Sequence, residues 1–223
     1  MSDIRERIGA VRERTAAACR KAGRLPAEVR LVAVTKRVDS ERIRAAAAMG
    51  LTDFGENYVQ EARSKIEALG PGLTWHMIGH VQTNKAKYIP RLFGWVHSVD
   101  RPELLEDLDR YGRDLFVLFE VNLSGEPQKH GATTETLGSA LKKAQGLRHV
   151  KPAGLMTVPP FSEDPEESRP YFRRLRELLR DMNREFGTSM RELSMGMSAD
   201  FEAAIEEGAT MVRIGTAIFG ERA

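Results

Sequence analysis

The 223-residue sequence has one cysteine, Cys19, so it can form neither an intramolecular disulfide nor a thiolate metal cluster. It has no surplus of either charge: 34 basic residues face 32 acidic ones, for a formal net charge of +2. That balance argues against an electrostatic nucleic-acid binder. The densest basic stretch, Arg173, Arg174, Arg176 and Arg180, is interleaved with Glu177 and Asp181 at pairing distance, as on a solvated helix face. No apolar run approaches the roughly 18 residues of a membrane span. The first residues, MSDIRERIGAVRERTAAACRKAG, are charged and amphipathic rather than a secretion signal. The expectation is a soluble, cytoplasmic protein with no membrane or nucleic-acid partner. Neither G-x-G-x-x-G nor G-x-x-x-x-G-K-[ST] follows any apolar run, which removes the usual nucleotide-binding loops.

What is present is regular alternation. A helix over about 2–21 carries Ile4, Ile8, Val11, Thr15 and Cys19 at helical spacing. Short apolar runs follow at 29–36, 52–55, 74–79, 95–99, 114–122, 150–158, 192–196 and 210–215, and they read as strands. Helical patterns separate or follow them near 40–49, 58–69, 84–91, 101–112, 133–145, 167–186 and 199–207. Ser40, Asp100 and Ser198 are the expected N-caps of three of these helices. Pro170 belongs in a first helical turn, which starts that helix near Glu167 or Ser168. Eight strands without a polar face, alternating with helices, imply a parallel sheet covered on both sides. The fold class expected is α/β: a single (β/α)8 barrel with an extra N-terminal helix, one domain over residues 1–223. An open doubly wound sheet is the rival.

In such a barrel, chemistry sits where strands end. The run RLVAVTK ends on Lys36. The second strand leads to Asn57, the third to His80 and the sixth to Met156 and Thr157. His76 and His80 do not suit a common metal, because four residues of strand span about 13 Å. His97 and His130 have no visible partner in the sequence. After the seventh strand, SMGMSAD offers Ser198 at a helix start, and after the eighth, RIGTAIFG offers Gly215 and Thr216. The turns after strands seven and eight are the usual phosphate site of phosphate-binding barrels. Asp200 would repel a phosphate if it pointed inward, so it is expected to face solvent or to stabilise the helix start. Period two puts Arg213 on the face shared with Gly215. There it either pairs with an inward carboxylate, such as Glu56 or Glu120, or donates to a ligand. A lysine amine beside a phosphate cup describes pyridoxal 5′-phosphate (PLP).

The segments VAVTK, FGENYVQEA, WHMIGHVQTNK, GLMT, LSMGMSADFEAAIEEG and VRIGTAIFG resemble the pyridoxal phosphate homeostasis protein family, barrels similar to the N-terminal domain of alanine racemase. The resemblance implies a PLP carrier that takes part in intracellular cofactor supply, without an established reaction. It implies Lys36 as the Schiff-base lysine, Ser198, Gly215 and Thr216 on the phosphate, and Arg213 near the pyridine nitrogen. Asn57, His80 and Met156 would line the pocket. The enzyme alternative is an amino-acid racemase, which needs a second base opposite the lysine. In the similar racemase a tyrosine from an added C-terminal β domain supplies it across a dimer. Here the sequence ends three residues after IFG, and Tyr58, Tyr88, Tyr111 and Tyr171 read as helical and outward-facing. The expectation is therefore a monomeric carrier, with PLP-dependent client enzymes as transient partners. A phosphate-binding enzyme that does not use PLP is the third reading.

Overall fold

The computed structural model describes residues 2–126 and 128–221; the expected domain limits, 1 and 223, lie outside them. Eight strands form one closed parallel barrel in chain order. They are β1 (Arg30–Val34), β2 (Asp53–Glu56), β3 (Thr74–Met77), β4 (Trp95–Val99), β5 (Leu115–Glu120), β6 (Val150–Met156), β7 (Glu192–Ser194) and β8 (Met211–Ile214). The helices are α1 (Ser2–Lys21), α2 (Ser40–Ala48), α3 (Val59–Leu69), α4 (Ile89–Leu92), α5 (Pro102–Asp109), α6 (Thr134–Ala144), α7 (Arg169–Phe186), α8 (Phe201–Glu206) and α9 (Thr216–Phe219). The doubly wound rival is excluded by closure, since β1 pairs with both β2 and β8.

Alternation along each strand sorts the side chains into two cores. Ala33 of β1 and Phe54 of β2 point outward into the main core, which also holds Ile43 of α2, Ala62 of α3 and Leu104, Leu105 and Leu108 of α5. Each of those leucines is fully buried, worth about 1.5–3 kcal/mol. A smaller core of Val32, Trp95, Leu118, Met156 and Met211 fills the barrel itself. Gly154 of β6 is required by a close approach: a Cβ there would lie 1.8 Å from the Glu192 carbonyl oxygen of β7. On the other edge of β6, the pairing with β5 shifts register between Val117 and Leu118.

Three expected caps are corrected. Asp39, not Ser40, caps α2, its carboxylate accepting from the Arg42 amide at 2.9 Å. Arg101 occupies the N-cap of α5, and Asp100 is taken by other partners. Ser198 precedes the N-cap of α8, which is Asp200. The helix expected at 84–91 is a 3-10 turn, Thr83–Tyr88, and then the single turn α4, which begins with Pro90 in its first two positions. Pro170 lies in the first turn of α7, as expected.

Candidate functional site

The carboxyl ends of the strands gather most of the expected residues into two neighbouring groups. Lys36 lies in the turn after β1, half-buried, and lines a cavity of about 220 Å³ with Gly215, Thr216, Arg42 and Phe219. Asn57 and His80 line a second cavity of about 380 Å³, with Met77, Gly79 and His130. Met156 is buried inside the barrel at the end of β6.

The turn that carries Lys36 is anchored from behind. Arg37 adopts a left-handed backbone, φ 61°, a state costing a non-glycine residue roughly 1 kcal/mol. Its amide donates to the Glu61 carboxylate of α3. Glu61 also accepts from the Lys65 ammonium at 2.7 Å. Lys65 reaches inward to Glu56 at 2.7 Å and to the Thr35 carbonyl, while the Thr35 hydroxyl donates to Glu56 at 2.6 Å. Burial pushes the Glu56 carboxyl above its ordinary range, against the pull of Lys65 and Thr35. This knot sits on the helix side of the barrel wall, so Glu56 is not the partner of Arg213.

Ser198 meets the turn after β8 directly. Its hydroxyl accepts from the Gly215 and Ala217 amides, each at 3.3 Å. Those are long contacts to two N–H groups directed at one oxygen. Asp200 is buried rather than solvent-facing; its carboxylate accepts from the Met197 amide at 2.7 Å and so steadies the turn before α8.

Arg213 is inside the barrel. Its guanidinium donates to the Ser194 hydroxyl at 2.7 Å and to the Thr157 carbonyl at 3.0 Å. Burial lowers its pKa to about 10, and the nearby carboxylates of Glu120 and Asp200 act in the other direction. It is thus a cation at neutral pH. Glu120, at the end of β5, is pushed up to about 7 by burial, with Arg213 opposing and Asp100 adding to the rise. In the sequence Glu120 reads only as a possible partner; in the structure its charge is felt by Arg213.

The histidines depart from expectation. His97, partnerless in the sequence, bonds His76 at 2.9 Å and Ser194 at 2.8 Å. His130 stacks on His80, ring centroids 4.2 Å apart, and His80 also meets Asp100 at 3.0 Å. Burial lowers the His80 pKa; His130 and Arg101 reinforce this and Asp100 opposes it. His80, Asp100 and His130 bring ligand-type atoms within 4.8 Å of one another. Near-parallel stacked rings, however, direct their nitrogen lone pairs side by side rather than at one point. Tyr58 is also corrected: it precedes α3, is 55% exposed and lines the mouth cavity with Asn57 and His80. Period two, which set Arg213 inside, would also have set His76, His97 and Ser194 inside, but no pattern in the sequence shows which strands lie opposite one another.

No helix among the described residues is long and apolar enough to cross a membrane. The family model of the alanine racemase N-terminal domain matches residues 7–223. A pyridoxal phosphate homeostasis protein of Aquifex aeolicus is 46% identical over 222 residues, covering 97% of each chain. One of Escherichia coli K12 is 40% identical over 237 residues, covering 100% of this chain and 98% of its own. PipY of Synechococcus elongatus, solved with PLP bound, superposes with a TM-score of 0.86 at 36% identity, covering 97% of this chain and all of its own. Alanine racemase of Corynebacterium glutamicum shares the fold at a TM-score of 0.71 and 18% identity, covering 96% of this chain, which spans 61% of the racemase. The chain belongs to the pyridoxal phosphate homeostasis protein family, a branch of the alanine racemase N-terminal domain fold.

Proposed function

We propose that the chain binds PLP at the barrel mouth and takes part in its homeostasis, as one domain that holds the cofactor and gives it up. The observation that carries this is the cavity that Lys36 shares with the Gly215–Thr216 turn. The residues fit the group. The Asn57 side-chain oxygen is buried without a hydrogen-bond partner among the described residues, an acceptor held ready for a donor. The two amides that reach Ser198 at 3.3 Å can turn to a phosphate oxygen, with the hydroxyl as a third donor. Bound there, the cofactor supplies an aldehyde for an amine and a ring that draws electrons from what is attached to it.

Lys36 is the amine that would hold it, and Ser198, Gly215 and Thr216 would hold its phosphate. Arg213 would donate to the ring nitrogen. A cationic donor there leaves that nitrogen without a proton and weakens the ring as an electron sink. That favours a carrier over an enzyme. Asn57, His80 and Met156 would form the walls. The carrier is proposed as a cytoplasmic monomer that meets PLP-dependent client enzymes transiently. A second reading, weak racemase-like catalysis, is favoured by one observation: Tyr58 lies at the mouth, where a second base could act.

The test is direct. Protein loaded with PLP and treated with borohydride is expected to carry a reduced adduct on Lys36 by peptide mapping, and Lys36→Ala to carry none. Protein that takes up no cofactor ends the reading. Both enantiomers of alanine, incubated with the loaded protein in heavy water, separate the two roles. Sustained deuteration at Cα, abolished by Tyr58→Phe, would establish the catalytic reading. Transfer to an apo-enzyme in the presence of a trap for free cofactor tests hand-over, and light scattering tests the monomer.

A further inference from the structure

A chain of hydrogen bonds runs through the interior of the barrel and joins its two ends. At the floor, the Asp53 carboxylate of β2 meets His76 Nε2 at 3.0 Å. His76 Nδ1 meets His97 Nε2 at 2.9 Å, and His97 Nδ1 meets the Ser194 hydroxyl at 2.8 Å. Ser194 accepts from Arg213 at 2.7 Å. His76, His97 and Ser194 are fully buried, and Arg213 is 5% exposed. Unpaired, each would be costly; paired in series, all are satisfied.

The polarity of this chain has one solution. Ionised Asp53 can only accept, so neutral His76 donates to it from Nε2 and accepts at Nδ1. His97 then carries its proton on Nε2 and donates to His76 Nδ1. In turn His97 accepts at Nδ1 from the Ser194 hydroxyl, which accepts from Arg213, a pure donor. Reversing the direction would set a bare His76 nitrogen against a carboxylate. The charges agree with the geometry. Burial holds both histidines below their ordinary pKa, so both are neutral. Burial alone would raise Asp53, but hydrogen bonds from His76 and Thr52 more than offset it and keep it ionised.

We propose that Asp53, at the barrel floor, is a positioning residue for Arg213 at the mouth, acting through His76, His97 and Ser194. The chain fixes which guanidinium nitrogen is held from behind. The other terminal nitrogen is held by the Thr157 carbonyl at 3.0 Å, and the donors that neither contact uses are left for a ligand. The part that concerns the cofactor rests on the reading of Arg213 given above; the polarity of the chain does not. Glu120 from β5 and Asp200 from the β7–α8 turn also face Arg213, and Arg30 faces the two histidines and lies 3.7 Å from the Asp53 carboxylate. The variants below leave those three in place.

The first arm needs no cofactor. In cofactor-free protein with nitrogen-labelled histidine, His76 and His97 are expected to be neutral and to carry the proton on Nε2 at about pH 7.5, above the ordinary histidine value. Either ring found charged, or protonated on Nδ1, overturns the proposal. Asp53→Asn keeps an accepting oxygen, and is expected to preserve both tautomers. Asp53→Leu removes it, and is expected to shift the His97 signals although residue 53 does not touch His97. The second arm uses loaded protein. Asp53→Leu and Ser194→Ala are each expected to weaken cofactor affinity about tenfold and to move the pH midpoint of the bound cofactor's absorption band, while Asp53→Asn stays close to wild type. A purely structural role lowers stability and leaves that midpoint in place, which would overturn the proposal. Should Asp53→Leu fail to fold, Ser194→Ala and the wild-type tautomers decide it. A wild-type protein that binds no PLP sinks the site reading alone, and the first arm still decides this one.

Discussion

Replacing Lys65 with methionine should unsettle the protein far more than its place on a surface helix suggests. The Lys65 side chain is 8% exposed and its partner Glu56 is fully buried. Methionine fills a similar volume but strands the Glu56 carboxylate with the Thr35 hydroxyl as its remaining donor. Removing one member of a buried pair costs about 3–5 kcal/mol, because the other is left charged and unpaired. For a chain of this size each kcal/mol lowers Tm by about 2–4 °C, so a drop of roughly 6–20 °C is expected. The effect must depend on pH in one direction. A carboxyl whose folded pKa is raised contributes a penalty above that pKa, and none below its unfolded value, here near 4.5. The gap between wild type and Lys65→Met therefore narrows as pH falls from 7.5 toward 5. Adding Glu56→Gln should recover at least about 1 kcal/mol at pH 7.5 by removing the stranded charge. Urea unfolding of the three proteins at both pH values measures all of this. A loss below about 1 kcal/mol at pH 7.5, or a gap that does not change with pH, would refute the reasoning.

Other outcomes follow from the same geometry. Glu120, with its pKa near 7, costs stability that appears as pH rises from 4.5 to 7; Glu120→Gln should therefore gain on wild type by up to about 3 kcal/mol at pH 8 relative to pH 4.5, read by urea unfolding of cofactor-free protein. Gly154→Ala drives a methyl into the Glu192 carbonyl, a backbone atom, and should cost more than about 3 kcal/mol or prevent folding, as circular dichroism would report. Gly9→Ala, in α1 with nothing near the new methyl, should instead stabilise by about 0.5–1 kcal/mol in thermal melts. Arg37→Gly relieves a left-handed backbone and should not lower Tm, yet it should loosen the turn before α2, seen as faster amide exchange at Val38.

The barrel was legible because its signal is periodic: apolar strands and amphipathic helices repeat, and each repeat reads by itself. Lys36, Gly215 and Thr216 were legible because they fall where strands end. What the sequence hid depends on closure. His76 lies on β3, His97 on β4, Ser194 on β7 and Arg213 on β8, and only the finished barrel brings them into line. Asp39 took the α2 cap from Ser40 because either residue suits an N-cap and the choice turns on one residue of backbone. Lys65 reads as one more cation on a polar helix until the barrel wall is set behind it.

The seat of α1 has a consequence for how the barrel closes. This helix precedes β1, yet it packs against α8 and α9, which flank β8 at the other end of the strand order. Until β8 pairs with β1 and closes the ring, Ile4, Ile8 and Val11 have no complete surface to cover them. The contacts that complete the cover of α1 therefore span nearly the whole strand order, the kind that carry the largest loop-closure cost. Slow closure is built into the order of the elements.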